Sequence, residues 1–302
     1  LFADTGCFVF IEGTVMTRKG FWLLGLPLLL ILVLVGAGLI YLIAPELDLW
    51  PQPNRIAVIK VEGLIIDPSS VIEHLIDFRK DPNVRAILLR IDSPGGGVAP
   101  SQEIYREIKR TAGQKPVIAS LGSVAASGGY YIAAATSQIV ASAGTLTGSI
   151  GVIMNFPNLK ELFQKIGYQT VTIKSGAFKD SGNPGRDMTD AEKRLLQATI
   201  DQVHQQFVRD VAGGRRLPLE DVEKIADGRI LTGQDALQLG LIDALGNFQD
   251  AVERAAGLGE IVGEPELIYA RDKPRSLAEW LFGRSVLERV EAGLTDRLPP
   301  LR

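Results

Sequence analysis

Twice in this chain an apolar, strand-like run leads straight into small residues and glycines, and then into a helical pattern. Val84-Arg-Ala-Ile-Leu-Leu-Arg-Ile91 is mostly apolar and bounded by turn signals, so it reads as a strand. It enters Asp92-Ser-Pro-Gly-Gly-Gly97, after which Pro100 to Thr111 looks helical. Pro116-Val-Ile-Ala-Ser120 repeats the arrangement, passing through Leu121-Gly-Ser-Val-Ala-Ala-Ser-Gly-Gly-Tyr-Tyr131 into the small apolar run Ile132 to Ala135. Alternating strands and helices point to an α/β fold, with a largely parallel sheet and helices outside it. Ile56 to Ile66 starts that core as a strand pair or as one bent strand.

The same turns carry chemistry. A glycine-rich loop between a strand and a helix presents backbone N–H groups that can hold a phosphate or the oxyanion of an acyl transfer. Neither G-x-x-x-x-G-K-[ST] nor G-x-G-x-x-G is present, so the oxyanion reading is preferred. Ser127, between Ala126 and Gly128, sits where side-chain bulk is least and a substrate can approach. The bland alternative is that Ala-Ala-Ser-Gly-Gly only lets a helix pack closely on the sheet. Ser120 and Ser123 are rival nucleophiles on local grounds. The chain has two histidines: His74 in a charged helical stretch and His204 inside a long amphipathic helix. Both read as surface or packing residues, which leaves a Ser-His-Asp triad thinly supported. A lysine can replace histidine as base if desolvation brings its pKa from about 10.4 toward about 7–8. Lys174 and Lys179 lie in Thr172-Ile-Lys-Ser-Gly-Ala-Phe-Lys-Asp180, read as a strand end followed by a glycine turn, and composition chooses neither.

The order Asp92-Ser-Pro-Gly-Gly-Gly, Ala125-Ala-Ser-Gly-Gly-Tyr-Tyr, Thr147-Gly-Ser-Ile-Gly, Lys174-Ser-Gly-Ala-Phe-Lys-Asp resembles the signal peptide peptidase A family over about residues 55 to 250. That resemblance implies a Clp-protease/crotonase-like fold of repeated ββα units and a membrane-anchored serine peptidase with a Ser–Lys dyad. It makes Ser127 the nucleophile, Lys179 the general base and Ser149 the residue that orients the lysine. It assigns the oxyanion hole to the N–H of Gly128 and of the glycine loop, Gly96 ahead of Gly95. Ser127 and Lys179 are 52 residues apart, so only tertiary or quaternary structure can unite them. One copy of each motif resembles the half-length members of the family, whose octameric rings let Ser127 meet Lys179 of an adjacent subunit. Extended apolar peptides, remnant signal peptides above all, are the implied substrates. No metal or organic cofactor is implied.

From Phe21 to Ala44 no residue is charged, a run of 24. As a helix it would reach about 36 Å, enough to span a hydrocarbon core of about 30 Å. Arg18 and Lys19 precede it while Glu46 and Asp48 follow, which places the amino terminus in the cytoplasm and the bulk of the chain outside a bacterial plasma membrane. A cleavable signal peptide is the rival reading, disfavoured by the length of the run and by Pro45 directly after Ala44. The expected organisation is a tail over 1–20 (1–15 an upstream extension), a transmembrane helix over 21–44 and a linker over 45–54. A peptidase domain follows over 55–256, then a segment over 257–302 for oligomer or interface contacts. Within that last segment Ser276 to Asp296 has the pattern of an amphipathic helix.

Thr189-Asp-Ala-Glu192 is a capping box opening a long helix, with Leu196, Ile200, Val203, Phe207 and Val211 as its apolar stripe. Asp227 to Asp243 reads as a closing strand–helix–strand. A net charge of −3 and the lack of a basic stripe give no reason to expect nucleic acid. The single cysteine, Cys7, has no apolar run before it and allows no disulfide within the chain. Two other functions fit the same fold. A crotonase-like acyl-CoA enzyme would bind CoA, and a noncatalytic membrane scaffold would keep its function without Ser127 and Lys179.

Overall fold

The computed structural model describes residues 26–43 and 54–271. The chain divides into two compact units, Leu1–Gln52 and Pro53–Arg302. In the first, Leu26–Ile43 form an 18-residue helix (α1), and its described side chains, Leu29 to Leu39, are exposed. No helix among the described residues is long and apolar enough to cross a membrane. The span expected over Phe21 to Ala44 extends beyond them at both ends, and Cys7, the linker up to Pro53 and the helix expected over 276–296 also lie outside them.

The second unit is built on one eight-stranded sheet: β1 (Arg55–Ile65), β2 (Val84–Gly96), β3 (Val117–Ala126), β4 (Gln138–Ala141), β5 (Leu146–Gly148), β6 (Ile230–Thr232), β7 (Ala244–Leu245) and β8 (Glu266–Tyr269). The main path runs β6-β5-β3-β2-β1-β8, with β4 and β7 branching from β3. Every pairing is parallel except β5 with β6. The mixed, largely parallel α/β class expected from the sequence is therefore what forms. Helices α2 (Ser69–Lys80), α3 (Val98–Ala112) and α4 (Gly128–Ala133) provide the crossovers that parallel neighbours require. Five further helices complete the described part of the unit: α5 (Lys160–Lys165), α6 (Asp190–Arg215), α7 (Leu219–Glu223), α8 (Gly233–Gln238) and α9 (Phe248–Leu258).

Alternation along the strands divides the core between the two faces of the sheet. Ala57, Ile59 and Val61 of β1 join Ile87, Leu89 and Ile91 of β2 on one face, with Leu75, Ile104 and Ile108 packed over them. Ile56, Val58, Ala86, Leu88 and Ile118 face the other way, onto Ala251, Val252 and Ala255 of α9. Leu75 is the one fully buried side chain of α2. Leu75→Ala should cost about 2–5 kcal/mol in denaturant unfolding and leave kcat/KM of the folded protein unchanged.

Four sequence expectations are revised. The glycine loop after Ile91 is still strand as far as Gly96, because Leu64 and Ile65 of β1 pair with Gly95 and Gly96 across a register shift. Thr172 to Lys174 do not form a strand end: residues 169–174 have no ladder partner here, and Val171 and Ile173 are 91% and 96% exposed. In α6 only the second half of the stripe is core. Phe207 and Val211 are buried, while Leu196, Ile200 and Val203 are half-buried. Beyond residue 256 the chain is still part of the sheet unit, since β8 pairs with β1 and α9 continues to Leu258. The capping box of α6 forms as expected: Thr189 Oγ accepts from the Glu192 N–H, and the Glu192 carboxylate from the Thr189 N–H.

Candidate active site

Strand β3 ends at Ala126 and α4 starts at Gly128, so Ser127 is the single residue that turns the chain. Its backbone has φ 52° and ψ −119°, a conformation that L residues rarely adopt and that costs on the order of 1–3 kcal/mol. The turn is held on both sides. The Ser127 N–H donates to Gly148 O (2.9 Å), and Ser127 O accepts from the Tyr131 N–H (2.8 Å). Such a turn lifts the hydroxyl clear of the sheet at the amino end of a helix. Neither rival serine is placed this way. Ser120 is buried and accepts from Arg90 Nη1 (2.9 Å), and Ser123 is exposed in mid-strand.

The glycine loop lies directly against this turn. A Cβ on Gly95 would stand 2.7 Å from Gly128 N and 2.9 Å from Ser127 Cβ, and Gly95 itself has φ 103°. A Cβ on Gly96 would stand 2.2 Å from Ile65 O, and one on Gly128 would be 3.2 Å from Gly96 N. No side chain fits at these positions, so the Gly96 and Gly128 backbones approach each other beside Ser127. Gly95 plays a different part from the one first considered: its N–H already donates to the buried Ser93 Oγ (3.1 Å).

Ser149 is brought to the same place by strand pairing. Ala126 pairs with Gly148 across β3 and β5, so the residues that follow, Ser127 and Ser149, leave the sheet side by side. Ser149 is half-buried, also has positive φ (50°), and its N–H donates to Arg229 O (2.8 Å). Thr147 Oγ1 donates to Ala125 O (2.7 Å), locking the two strand ends together.

In front of Ser127 lies a cavity of about 110 Å³ whose lining includes Gly96, Val98, Ser101, Tyr131, Ile153 and Phe207. Its size suits one side chain better than a drug-sized ligand, which needs roughly 300–1,000 Å³. Sequence reasoning had not singled out this wall. Tyr131 packs on Phe207 (ring centroids 4.4 Å apart) and its hydroxyl donates to the Asp210 carboxylate. Burial raises the Tyr131 phenol well above its ordinary value, and the bond to Asp210 adds to this, so it stays a proton donor at neutral pH. The neighbouring Tyr105, whose hydroxyl donates to Asp210 O (2.8 Å), is pushed up to about 12 by burial and then by the Asp210 charge.

Lys179 is not part of this wall. It is exposed, in a turn where its N–H donates to Gly176 O (3.2 Å), and its ammonium has no ion pair among the described residues. Lys174 is committed elsewhere, donating to Ala177 O (3.0 Å) and Asp180 Oδ1 (2.5 Å). His74 lies on α2, its Nε2 next to Arg271 O (3.3 Å), and His204 on α6 has a buried, unpartnered Nε2; neither lines the Ser127 cavity. No cluster able to hold a metal ion occurs among the described residues. One structure thus gathers Ser127, Ser149, Gly96 and Gly128, an arrangement able to form and stabilise an acyl intermediate.

Residues 109–261, which include Ser127, Ser149 and Lys179, match the model of Peptidase family S49. A Synechocystis protein named as a candidate protease is 42% identical over 83% of this chain and 93% of its own length. The chloroplastic serine protease SPPA of Arabidopsis thaliana is 40% identical over 80% of this chain, which spans only 38% of that longer protein. An Enterococcus faecium protein named as a candidate signal peptide peptidase is 32% identical over 81% of this chain and 76% of its own. A strained serine at the head of a helix, two glycine backbones beside it and relatives of this kind lead to one assignment: the chain belongs to Peptidase family S49 and is a serine protease resembling signal peptide peptidase A.

Proposed function

We propose that this chain is a membrane-anchored endopeptidase that uses a Ser127–Lys179 dyad, assembled between neighbouring subunits of a ring, to degrade remnant signal peptides. The observation that carries the chemistry is Ser127 at positive φ on the first turn of α4, with the Gly96 and Gly128 backbones against it. Uncharged Lys179 takes the proton from Ser127 Oγ as Oγ bonds to the peptide carbonyl carbon. The Gly96 and Gly128 N–H groups hold the resulting oxyanion. On collapse the C–N bond breaks and the lysinium returns the proton to the leaving amine. Water, deprotonated by the same amine, then cleaves the ester and frees the serine.

The exposed Lys179 supports a base delivered to a neighbour. It follows a segment whose apolar side chains, Val171 and Ile173, are almost wholly open to solvent. A second copy covering that segment would bury them and desolvate the amine, favouring its uncharged form. Ser149, beside Ser127, is positioned to hold an incoming lysine by hydrogen bond. Membrane anchoring is supported by the uncharged run Phe21 to Ala44, and its flanking charges favour a catalytic unit outside the cytoplasm. The small cavity beside Ser127, walled in part by Val98, Ile153 and Phe207, suits a side chain of an extended peptide, and the Enterococcus relative's name points to signal peptides as the substrate class.

Co-assembly tests the arrangement. Ser127→Ala and Lys179→Ala chains should each be inactive on a labelled signal peptide. Mixed in equal amounts, they should recover about a quarter of wild-type cleavage, because a site then draws its serine and lysine from different chains. A mixture shown to have exchanged subunits but without activity would put both residues in one chain. Cleavage by Lys179→Ala alone would remove the lysine from the mechanism.

A further inference from the structure

The turn that carries Lys179 is held by a charged cluster that the dyad does not use. Arg186, in the loop before α6, donates through Nε to Asp180 Oδ2 (3.0 Å) and through Nη2 to Asp180 O (3.2 Å). The same guanidinium donates to both carboxylate oxygens of Glu192, from Nη1 at 2.9 Å and from Nη2 at 2.5 Å. Glu192 is only 2% exposed and is the capping-box residue of α6, so the first turn of that helix fixes the clamp in space. Ser181 Oγ adds a hydrogen bond to Glu192 (3.3 Å), and Lys174 Nζ donates to Asp180 Oδ1. Asp180 is the residue directly after Lys179. Two cations therefore converge on the carboxylate nearest in sequence to the lysine.

We infer that Arg186 is a positioning residue for the reaction: acting through Asp180 and Glu192, it anchors the Lys179 turn to α6 and keeps the Asp180 carboxylate occupied so that it does not pair with the Lys179 ammonium. This rests on the Ser–Lys reading given above. A bidentate guanidinium suits the task because its planar fork fixes direction as well as charge, which a lysine at the same place would not do. Chemistry adds a second reason. An ammonium salt-bridged to a carboxylate is held in its charged form and is useless as a base. With Lys174 and Arg186 both bound to it, Asp180 is held down to about 2, first by the Arg186 hydrogen bonds and then by Lys174. Its charge is thereby spent within the cluster. The other charged groups that the adjoining elements bring here are Asp187, which pairs with Lys160 of α5, and Asp190 with Lys193 on the first turns of α6. Each of these is already paired, and Glu192 keeps its hydrogen bonds from Thr189 and Ser181 when Arg186 is removed, which leaves Asp180 as the carboxylate beside Lys179 whose release would affect the lysine.

The test compares Arg186→Gln, Asp180→Asn and Lys179→Ala in the full-length protein, following signal-peptide cleavage against pH. Arg186→Gln should lower kcat about 10- to 100-fold with KM little changed, the penalty of a misplaced catalytic group. It should also move the acid limb of kcat/KM upward by about one pH unit, since the released Asp180 favours the ammonium. Asp180→Asn loosens the same turn without freeing a carboxylate, so it should lower kcat and leave the limb where it is or below. Arg186→Lys should recover only part of the loss. If Arg186→Gln does not fold, Lys174→Gln withdraws the other cation from Asp180 and should shift the limb the same way. An acid limb that moves in neither variant would overturn the inference, even if kcat falls. Full activity of Lys179→Ala would instead overturn the dyad itself, and the two failures are thus separable.

Discussion

Ser127→Ala is expected to abolish peptide hydrolysis while leaving the protein folded. The serine hydroxyl makes no hydrogen bond among the described residues, so its loss orphans no buried partner. The positive φ is imposed by the Gly148 and Tyr131 hydrogen bonds to the Ser127 main chain, and alanine keeps both. The stability cost is therefore small, with a melting temperature within about 2 °C of wild type. The rate cost is large. Removing the nucleophile of a serine hydrolase lowers kcat by on the order of 10⁶-fold, down to what the oxyanion donors and substrate binding alone provide. Single-turnover cleavage of an apolar fluorogenic peptide measures this. Ser127→Gly sharpens the argument. It should be equally inactive yet at least as stable as the alanine variant, because glycine accepts φ 52° without the strain that a Cβ incurs. Cleavage surviving in both variants would disqualify Ser127.

Gly96→Ala is expected to fold less stably and to lose most of its activity without touching a catalytic side chain. The added methyl would sit 2.2 Å from Ile65 O and 2.6 Å from Ile65 N. These are backbone atoms of the β1–β2 ladder and cannot rotate away, so the two strand ends must separate. Overpacking of this kind costs about 1–3 kcal/mol of stability, readable by urea titration. The displaced strand carries the Gly96 N–H with it. Losing one preorganised oxyanion donor costs about 2.7–4 kcal/mol of transition-state stabilisation, or roughly 10²–10³ in kcat. KM should move far less than kcat, because the donor acts on charge that exists only in the transition state. An alanine variant with wild-type kcat would take Gly96 out of the oxyanion hole. Gly95→Ala is a useful comparison. Its N–H is already bound to Ser93, so its effect should come through strain at φ 103° and through crowding of Gly128.

Much of this protein follows from residue order alone. Val84 to Ile91 and Pro116 to Ser120 were bound to be buried strands, because nearly every side chain in them is apolar and β-sheet burial on both faces asks for that. Thr189 and Glu192 announced the start of a long helix through a local exchange of hydrogen bonds that needs no other part of the molecule. The two glycine-bearing turns and Ser127 were legible for the same reason: their meaning lies in which side chains are missing. What the order of residues could not show is which turns meet. Apart from the family resemblance of Thr147-Gly-Ser-Ile-Gly, Ser149 reads as an ordinary turn serine, and only the pairing of Ala126 with Gly148 sets it next to Ser127. The strand character of Gly95 and Gly96 depends on Ile65, some thirty residues earlier, taking its place on β1. Cavity walls from Tyr131 and Phe207, and the grip of Arg186 on Asp180 and Glu192, likewise arise from contacts between distant elements. Local hydrogen bonding and hydrophobic period write themselves into consecutive residues. Contacts across the fold do not, since the residues that form them are selected by the geometry of the whole sheet.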